Sequence, residues 1–267
     1  MAVFEYRSGG GGVHIVAGAG GVEMVMLVRS QKEYFMDFIA REAKAQKLKL
    51  VINGSFVSLG KLMKLWTYGA NTQPLDPSNS APIGQVIQGG NLIAGDSSTG
   101  KFYMSQNNCG AEQFSAGLGN PNSNACAAMG GVAPILINGF PYGSKNLYKK
   151  GVPAGAQITG DVSKEYAPFL VQKSNAMFDA MQSGGSVKGK TAVGYSSSKK
   201  STIIIVQENQ SPGLDANDFR DVFASLSVDN AVFLDGSDSA TLYYDGKFLV
   251  QPGENKNEYL TVAVGFR

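Results

Sequence analysis

Short apolar runs broken by glycine, asparagine and serine dominate the chain, a spacing that predicts strands and tight turns more often than helices. "VEMVMLVRS", "LKLVINGSF" and "VAPILINGF" read as buried strands that end in polar turns. "PIGQVIQGGNLIAGDSSTGKFYMS" reads as hairpins, and so does "KTAVGYSSSKKSTIIIVQENQ", whose second strand is strongly β-branched. "NAVFLDGSDSATLYYDGKFLV" and "YLTVAVGFR" close the chain as strands. Helical spacing appears in "SQKEYFMDFIAREAKAQK", with Ser30 as N-cap and Glu33 at the capping-box position, and in "DANDFRDVFASLS", where Asp215 and Asp218 cap and charge the first turn. "SKEYAPFLVQKSNAMFDAMQSGG" also looks helical, with a break near Pro168. Residues 69–81 read as a punctuated loop, and 105–131 as irregular. Hairpins outnumber crossovers. The expected fold class is α+β, with a mixed, largely antiparallel sheet and a few packing helices. No repeat or linker divides residues 1–267, so a single domain is expected, entered through a flexible or turning "SGGGG" at 8–12.

Composition narrows the function classes. With 43% hydrophobic and 16% charged residues the chain is core-forming, and a net charge of +2 is too small for electrostatic capture of nucleic acid. No apolar run reaches the length of a membrane span, and "MAVFEYRSGGGG" shows no signal peptide, so a soluble, cytoplasmic or virion-associated protein is expected. The one histidine, His14, reads as a strand residue facing solvent or a neighbour. Cys109 and Cys126 make neither an ordinary zinc site nor a disulfide scaffold. They either bridge one loop or stay reduced, the second being favoured for an intracellular chain.

Three strand ends carry more polar groups than a turn needs: Asn53-Gly54-Ser55, Lys190-Thr191 and Asp235-Gly236-Ser237-Asp238-Ser239. Taken singly, each fits plain turn chemistry. Taken in order, "VINGSF", "PIGQVIQGGNLI", "AMGGVAPILINGFP", "KTAVGY", "SPGLDANDF", "NAVFLDGSDSATLYYDGK" and "VAVGF" resemble the phosphodiester glycosidase family from about residue 13 to the end. Asn53, Gly54 and Phe56 follow the family's Asn-x-Gly-Phe-Phe pattern approximately. Lys190 stands where the family has arginine, followed by matching Thr191, Ala192 and Gly194. Leu234, Asp235, Gly236 and Ser239 match the last motif, while Ser237 and Asp238 replace two glycines and Ala240 replaces a serine.

The resemblance implies a phosphodiester-glycosidase-like fold and hydrolysis of a sugar-1-phosphodiester at the anomeric carbon. A phosphate leaves without strong protonation, so a nearby cation matters more than a general acid; Lys190 is the candidate. Asp235 is the first candidate for the carboxylate near the anomeric carbon, and Asp238 the second. Glu208, at the end of "TIIIVQ", is placed to face the same pocket. Asn53, Gly54, Ser55, Thr191, Gly236, Ser237 and Ser239, with Gly130 and Gly131, are the candidate substrate-binding positions. The aromatic residues Trp66, Tyr68, Tyr142 and Tyr148 fit core or turn packing better than sugar stacking. No cofactor is expected. A divalent cation at Asp235 and Asp238 stays open, but two loop acids without further ligands do not support one. The expected partner is a small-molecule or glycan substrate with a sugar–phosphate linkage, with neither nucleic acid nor membrane. Two other classes fit the departures from the family pattern: a glycan- or nucleotide-binding module that has lost catalysis, and a structural domain of phage or virion type.

Overall fold

The computed structural model describes residues 2–57, 76–77, 80–97, 100, 102–109, 113–141 and 187–267. Among them, three antiparallel sheets account for most of the architecture. The first has seven strands in the order β1 (Val3–Gly10), β2 (Val13–Ala19), β13 (Ser201–Gln207), β12 (Lys190–Ser196), β14 (Asn230–Phe233), β10 (Ala133–Ile137) and β11 (Phe140–Pro141). The second has five: β16 (Lys247–Val250), β15 (Leu242–Tyr244), β4 (Leu50–Asn53), β17 (Val262–Phe266) and β3 (Met24–Val28). The third also has five: β6 (Asn91–Ala94), β5 (Val86–Gln88), β9 (Ala127–Gly130), β7 (Phe102–Gln106) and β8 (Phe114–Leu118). The protein is more sheet-rich than the sequence pattern implied.

The central strands are those with unbroken apolar runs. "STIIIVQ" of β13 lies between β2 and β12, and "LVIN" of β4 is buried throughout between β15 and β17. Such runs suit strands covered on both faces, where alternation would place a polar group in the core. One hydrophobic cluster draws on all three sheets, with Val16, Ile52, Met104, Ile204 and Val264 among its fully buried members. Helix α1 (Phe35–Ala45) buries Phe35, Phe38, Ile39 and Ala43 in a second cluster, with Val25 and Leu27 of β3 and Val51 of β4. Helix α2 (Ala216–Ser225) sets Phe219 5.3 Å from the ring of Phe233 on β14. Its capping box forms as the sequence predicts: Asp218 N–H donates to Asp215 Oδ1 at 2.9 Å, and Asp215 N–H to Asp218 Oδ2 at 2.8 Å.

Several expectations change. Of the two readings of residues 8–12, the turn is the one that forms: β1 pairs with β2 from Val3↔Ala19 to Gly10↔Val13, and left-handed glycines such as Gly11 make the turn. Helix α1 starts at Phe35, after Tyr34 and without a side-chain cap, so Ser30 lies too early to cap it and Glu33, outside the helix, pairs with Arg41 at 2.6 Å. The stretch 105–131 is not irregular. It supplies β8 and β9, whose small residues in "AAMG" are wholly buried. A short helix, α3 (Glu254–Tyr259), forms where no element was expected. Trp66, Tyr68, Tyr142, Tyr148, the helical reading around Pro168 and most of the 69–81 loop lie outside the described residues. No helix among the described residues is long and apolar enough to cross a membrane.

Cys109 and Cys126, which the sequence left open between a loop bridge and reduced thiols, are joined by a disulfide with Cα atoms 5.2 Å apart. The pairing of β7 with β9, and Cys126 N–H donating to Asn107 O, bring the two positions together. The bond closes a 17-residue separation. Loop-closure entropy for a loop of that size corresponds to about 3 kcal/mol. The Cys109→Ser/Cys126→Ser double variant is expected to lose about that much in urea unfolding, and an unchanged midpoint would count against the bond.

Candidate active site

Asn53 ends β4 and is completely buried. Its Nδ2 donates to the carbonyl oxygen of Asp235 at 2.7 Å. Its Oδ1 accepts from Thr191 Oγ1 at 2.7 Å and from Thr241 N–H at 3.1 Å. One amide therefore ties the end of β4 to β12, to the turn after β14 and to the start of β15. Two backbone bonds tighten the junction: Asp235 N–H to Gly54 O at 3.1 Å and Gly54 N–H to Val262 O at 2.8 Å. Gly54 admits no larger residue, since a Cβ there would lie 2.7 Å from the Val262 carbonyl oxygen.

This junction sets the carboxylate of Asp235 in place. Gly236 N–H donates to its Oδ1 at 3.0 Å, and Ser239 Oγ to its Oδ2 at 2.7 Å. Asp235 is 8% exposed, and Ser239, at the end of the single 3₁₀ turn Ser237–Ser239, is fully buried. Burial pushes the Asp235 carboxyl above the usual carboxylate range, with Asp238 adding to it, against the opposing pull of Lys256, Ser239 and the Gly236 amide. Ionising Asp235 therefore costs folding energy: its contribution is full below the ordinary aspartate range and is lost as pH rises through the elevated value.

Lys256 was absent from the sequence-based candidates. It sits on α3, whose first turn is bonded to the 3₁₀ turn through Gly253 N–H and Asp238 O at 2.8 Å. Asn257 Oδ1 accepts from Met36 N–H at 2.8 Å and so fixes α3 against α1. The ammonium lies 3.6 Å from Asp238 Oδ1 and 5.0 Å from the ring centre of Tyr259. Burial works against its charge, but Asp235, Tyr259 and Asp238 outweigh that and hold it above the ordinary lysine range. A lysine in the polar segment "GENKNEY" between two strands looks like a solvated loop residue, and nothing local in the sequence distinguishes it.

Other candidates have different company. Lys190 begins β12 beside the junction, and its Cα would lie 3.8 Å from a Cβ added at Gly236. Its ammonium donates to Lys188 O at 2.9 Å and lies 5.9 Å from the Phe219 ring centre, on the α2 side. Burial pulls its pKa down to about 8, against the opposing charges of Asp215 and Asp218. Glu208, just beyond β13, accepts from His14 Nε2–H at 2.9 Å and from Ser211 Oγ at 3.3 Å. Its strand lies two places from β14, a lateral separation of about 10 Å. Ser55 N–H points at the Met129 sulfur at 3.0 Å, and its buried Oγ has no partner among the described residues. Gly130 and Gly131 sit near it through backbone: Gly130 N–H donates to Gln85 O, and Phe56 N–H to Gly131 O. Asp238 is about half exposed on the rim. No group of three metal-ligating side chains gathers among the described residues.

Ser237, one of the two replacements of a family glycine, has φ of +57°. A non-glycine residue in that region costs about 1–2 kcal/mol, partly offset in glycine by lost chain entropy. Ser237→Gly is expected to raise the unfolding free energy by up to about 1 kcal/mol; a lower free energy would mean that the serine hydroxyl contributes more than the strain removes.

Comparison with known proteins gives a consistent family and fold. The model of the phosphodiester glycosidase family matches residues 46–267. The catalytic domain of zebrafish N-acetylglucosamine-1-phosphodiester alpha-N-acetylglucosaminidase, auto-inhibited by its pro-peptide, superposes with a TM-score of 0.59 at 13% identity, covering 100% of this chain and 82% of that one. A hypothetical protein from Synechocystis gives 0.51 at 13% identity over 98% of this chain and 61% of its own. A protein described as exported, from Burkholderia pseudomallei, gives 0.52 at 12% identity over 95% and 73%. No curated protein matches by sequence.

Proposed function

The chain belongs to the phosphodiester glycosidase family, and from that premise we propose that it hydrolyses the bond between an anomeric carbon and phosphate in a sugar-1-phosphodiester. The substrate classes that suit this chemistry are phosphorylated glycans, teichoic-acid-type polymers and nucleotide-sugar-like molecules. The observation that carries the reading is the Asp235 carboxylate, buried, fixed by Gly236 and Ser239, and balanced by Lys256. A buried acid held in one orientation beside a largely covered cation is the kind of perturbed pair that clusters at functional sites.

The roles follow from the chemistry. The bond between the anomeric carbon and the phosphate oxygen breaks as an oxocarbenium-like charge develops on the sugar. Asp235 stabilises that charge, either by attack or by activating water. The cation for the departing phosphate is Lys256 rather than Lys190, whose ammonium turns toward α2. Ser55, with its buried and unpartnered hydroxyl, supplies a hydrogen bond to a substrate oxygen. Asn53 acts as a positioning residue, since both ends of its amide are engaged inside the protein. The disulfide and the exported relative support an oxidising place of work rather than the cytoplasm.

A second reading, ligand binding without turnover, draws on Asp238: its carboxylate 3.6 Å from Lys256 takes part of that cation's charge. Incubation with a panel of sugar-1-phosphodiesters followed by NMR decides between them. Free reducing sugar from the wild type, with at least a hundredfold loss in Asp235→Asn at native stability, is expected; ligand-induced shifts without turnover would establish the second reading.

The acid limb of kcat/KM provides a sharper check. Asp235 works as the carboxylate, so activity falls as pH drops through its elevated pKa. Lys256 opposes that elevation, so Lys256→Met is expected to move the limb upward by about 1–2 pH units, the effect of a unit charge at close range. A limb that stays in place would remove Lys256 from the account.

A further inference from the structure

Strand β14 has the Asp235 cluster at one end and a second polar cleft at the other. The cleft holds about 480 Å³, and its walls include Asn107, Gln113, Phe114, Tyr195, Asp229 and Asn230. Asn230 and Asp235 are separated by five residues of extended chain, about 16 Å.

The polar side chains of the cleft are oriented by bonds to the backbone. Asp229 Oδ2 accepts from Ser197 N–H at 2.6 Å, which leaves Oδ1 for a ligand. Asn230 Oδ1 accepts from Asn138 N–H at 3.0 Å, and its amide nitrogen has no partner among the described residues. Asn107 Oδ1 accepts from Ser105 Oγ at 3.3 Å, and the Cys109–Cys126 bond anchors the segment that carries it. Phe114 and Tyr195, both buried, form an apolar wall.

The lining selects a class of ligand. It contains no lysine, arginine or histidine, so nothing there draws phosphate or carboxylate. It contains one carboxylate, too few for a cation site. Fixed amide donors and one carboxylate acceptor beside the apolar edge of Phe114 and Tyr195 suit a neutral ligand rich in hydroxyls. The geometry points to a second, non-catalytic carbohydrate-binding site that takes a neutral hexose or N-acetylhexosamine unit. It does not depend on turnover at Asp235.

The test is an amide-resolved NMR titration of the full chain with methyl α-glucopyranoside and with N-acetylglucosamine, neither of which carries a phosphate to hydrolyse. Saturable shifts are expected at the backbone amides of Asn138, Ser197 and Asn230 and at the side-chain amides of Asn107 and Asn230. Millimolar affinity is typical of one sugar in a small polar cleft. Asp229→Asn, which keeps an acceptor for Ser197, and Asn107→Ala, at an exposed position, should each weaken binding about tenfold. Asp235→Asn should leave these shifts unchanged. The proposal is overturned if neither sugar shifts these amides saturably, if inorganic phosphate produces the same shifts, or if both cleft variants bind as the wild type does. Loss of the glycosidase reading would show instead as absent turnover with these shifts intact.

Discussion

The buried amide of Asn53 is the constraint on which the rest of the site depends. Three segments distant in sequence meet at its two ends: Thr191 and Thr241 at the oxygen, and the Asp235 carbonyl at the nitrogen. Each of these groups is out of water, where an unsatisfied donor or acceptor costs about 1–3 kcal/mol. The penalty for any other arrangement is therefore cumulative, and the turn after β14 has one acceptable position. A backbone bond from Asp235 to Gly54 repeats the same connection one residue on. The Asp235 carboxylate is aimed by the neutral polar network behind it.

Those charged groups are held apart from water in a graded way. Asp235 is nearly enclosed, Lys256 is largely covered, and Asp238 lies open at the rim. Burial alone would neutralise both Asp235 and Lys256. Each opposes the effect of burial on the other: Lys256 is held charged, while the Asp235 carboxyl stays above its usual range because burial is the larger influence on it. Helix α3 makes this coupling possible. It is only six residues long and derives its place from bonds at its two sides, to the 3₁₀ turn and to α1. The price of an isolated short helix is met by tertiary contacts.

Much of this was legible in the sequence. The strand-end clusters at Asn53, Thr191 and Asp235 do converge, and the capped helix at Asp215 is where its spacing places it. These features are local: a run of apolar residues ends, and polar residues with a glycine follow. Side-chain direction was not legible. Lys190 starts a strand beside the junction, yet its ammonium emerges on the face packed by Phe219. Glu208 follows β13, two places from β14, and is taken up by His14, whose strand comes from the other end of the chain. Lys256 had no signal, because its burial comes from α1 and the 3₁₀ turn, neither of them next to it in sequence. The alanine- and glycine-rich β8 and β9 hid for a related reason: small residues buried between sheets lack the β-branched signature of strands.

The account rests on Asp235 being a carboxylate whose ionisation is governed by its buried setting and by the Asn53 junction. The most direct measurement is the titration of the Asp235 side-chain carbon by NMR, in the wild type and in Asn53→Asp, which keeps size but replaces the amide donor with an acceptor. The account predicts a wild-type pKa above the ordinary aspartate range that changes when the junction is altered. An Asp235 that titrates as a free aspartate does in both proteins would contradict it.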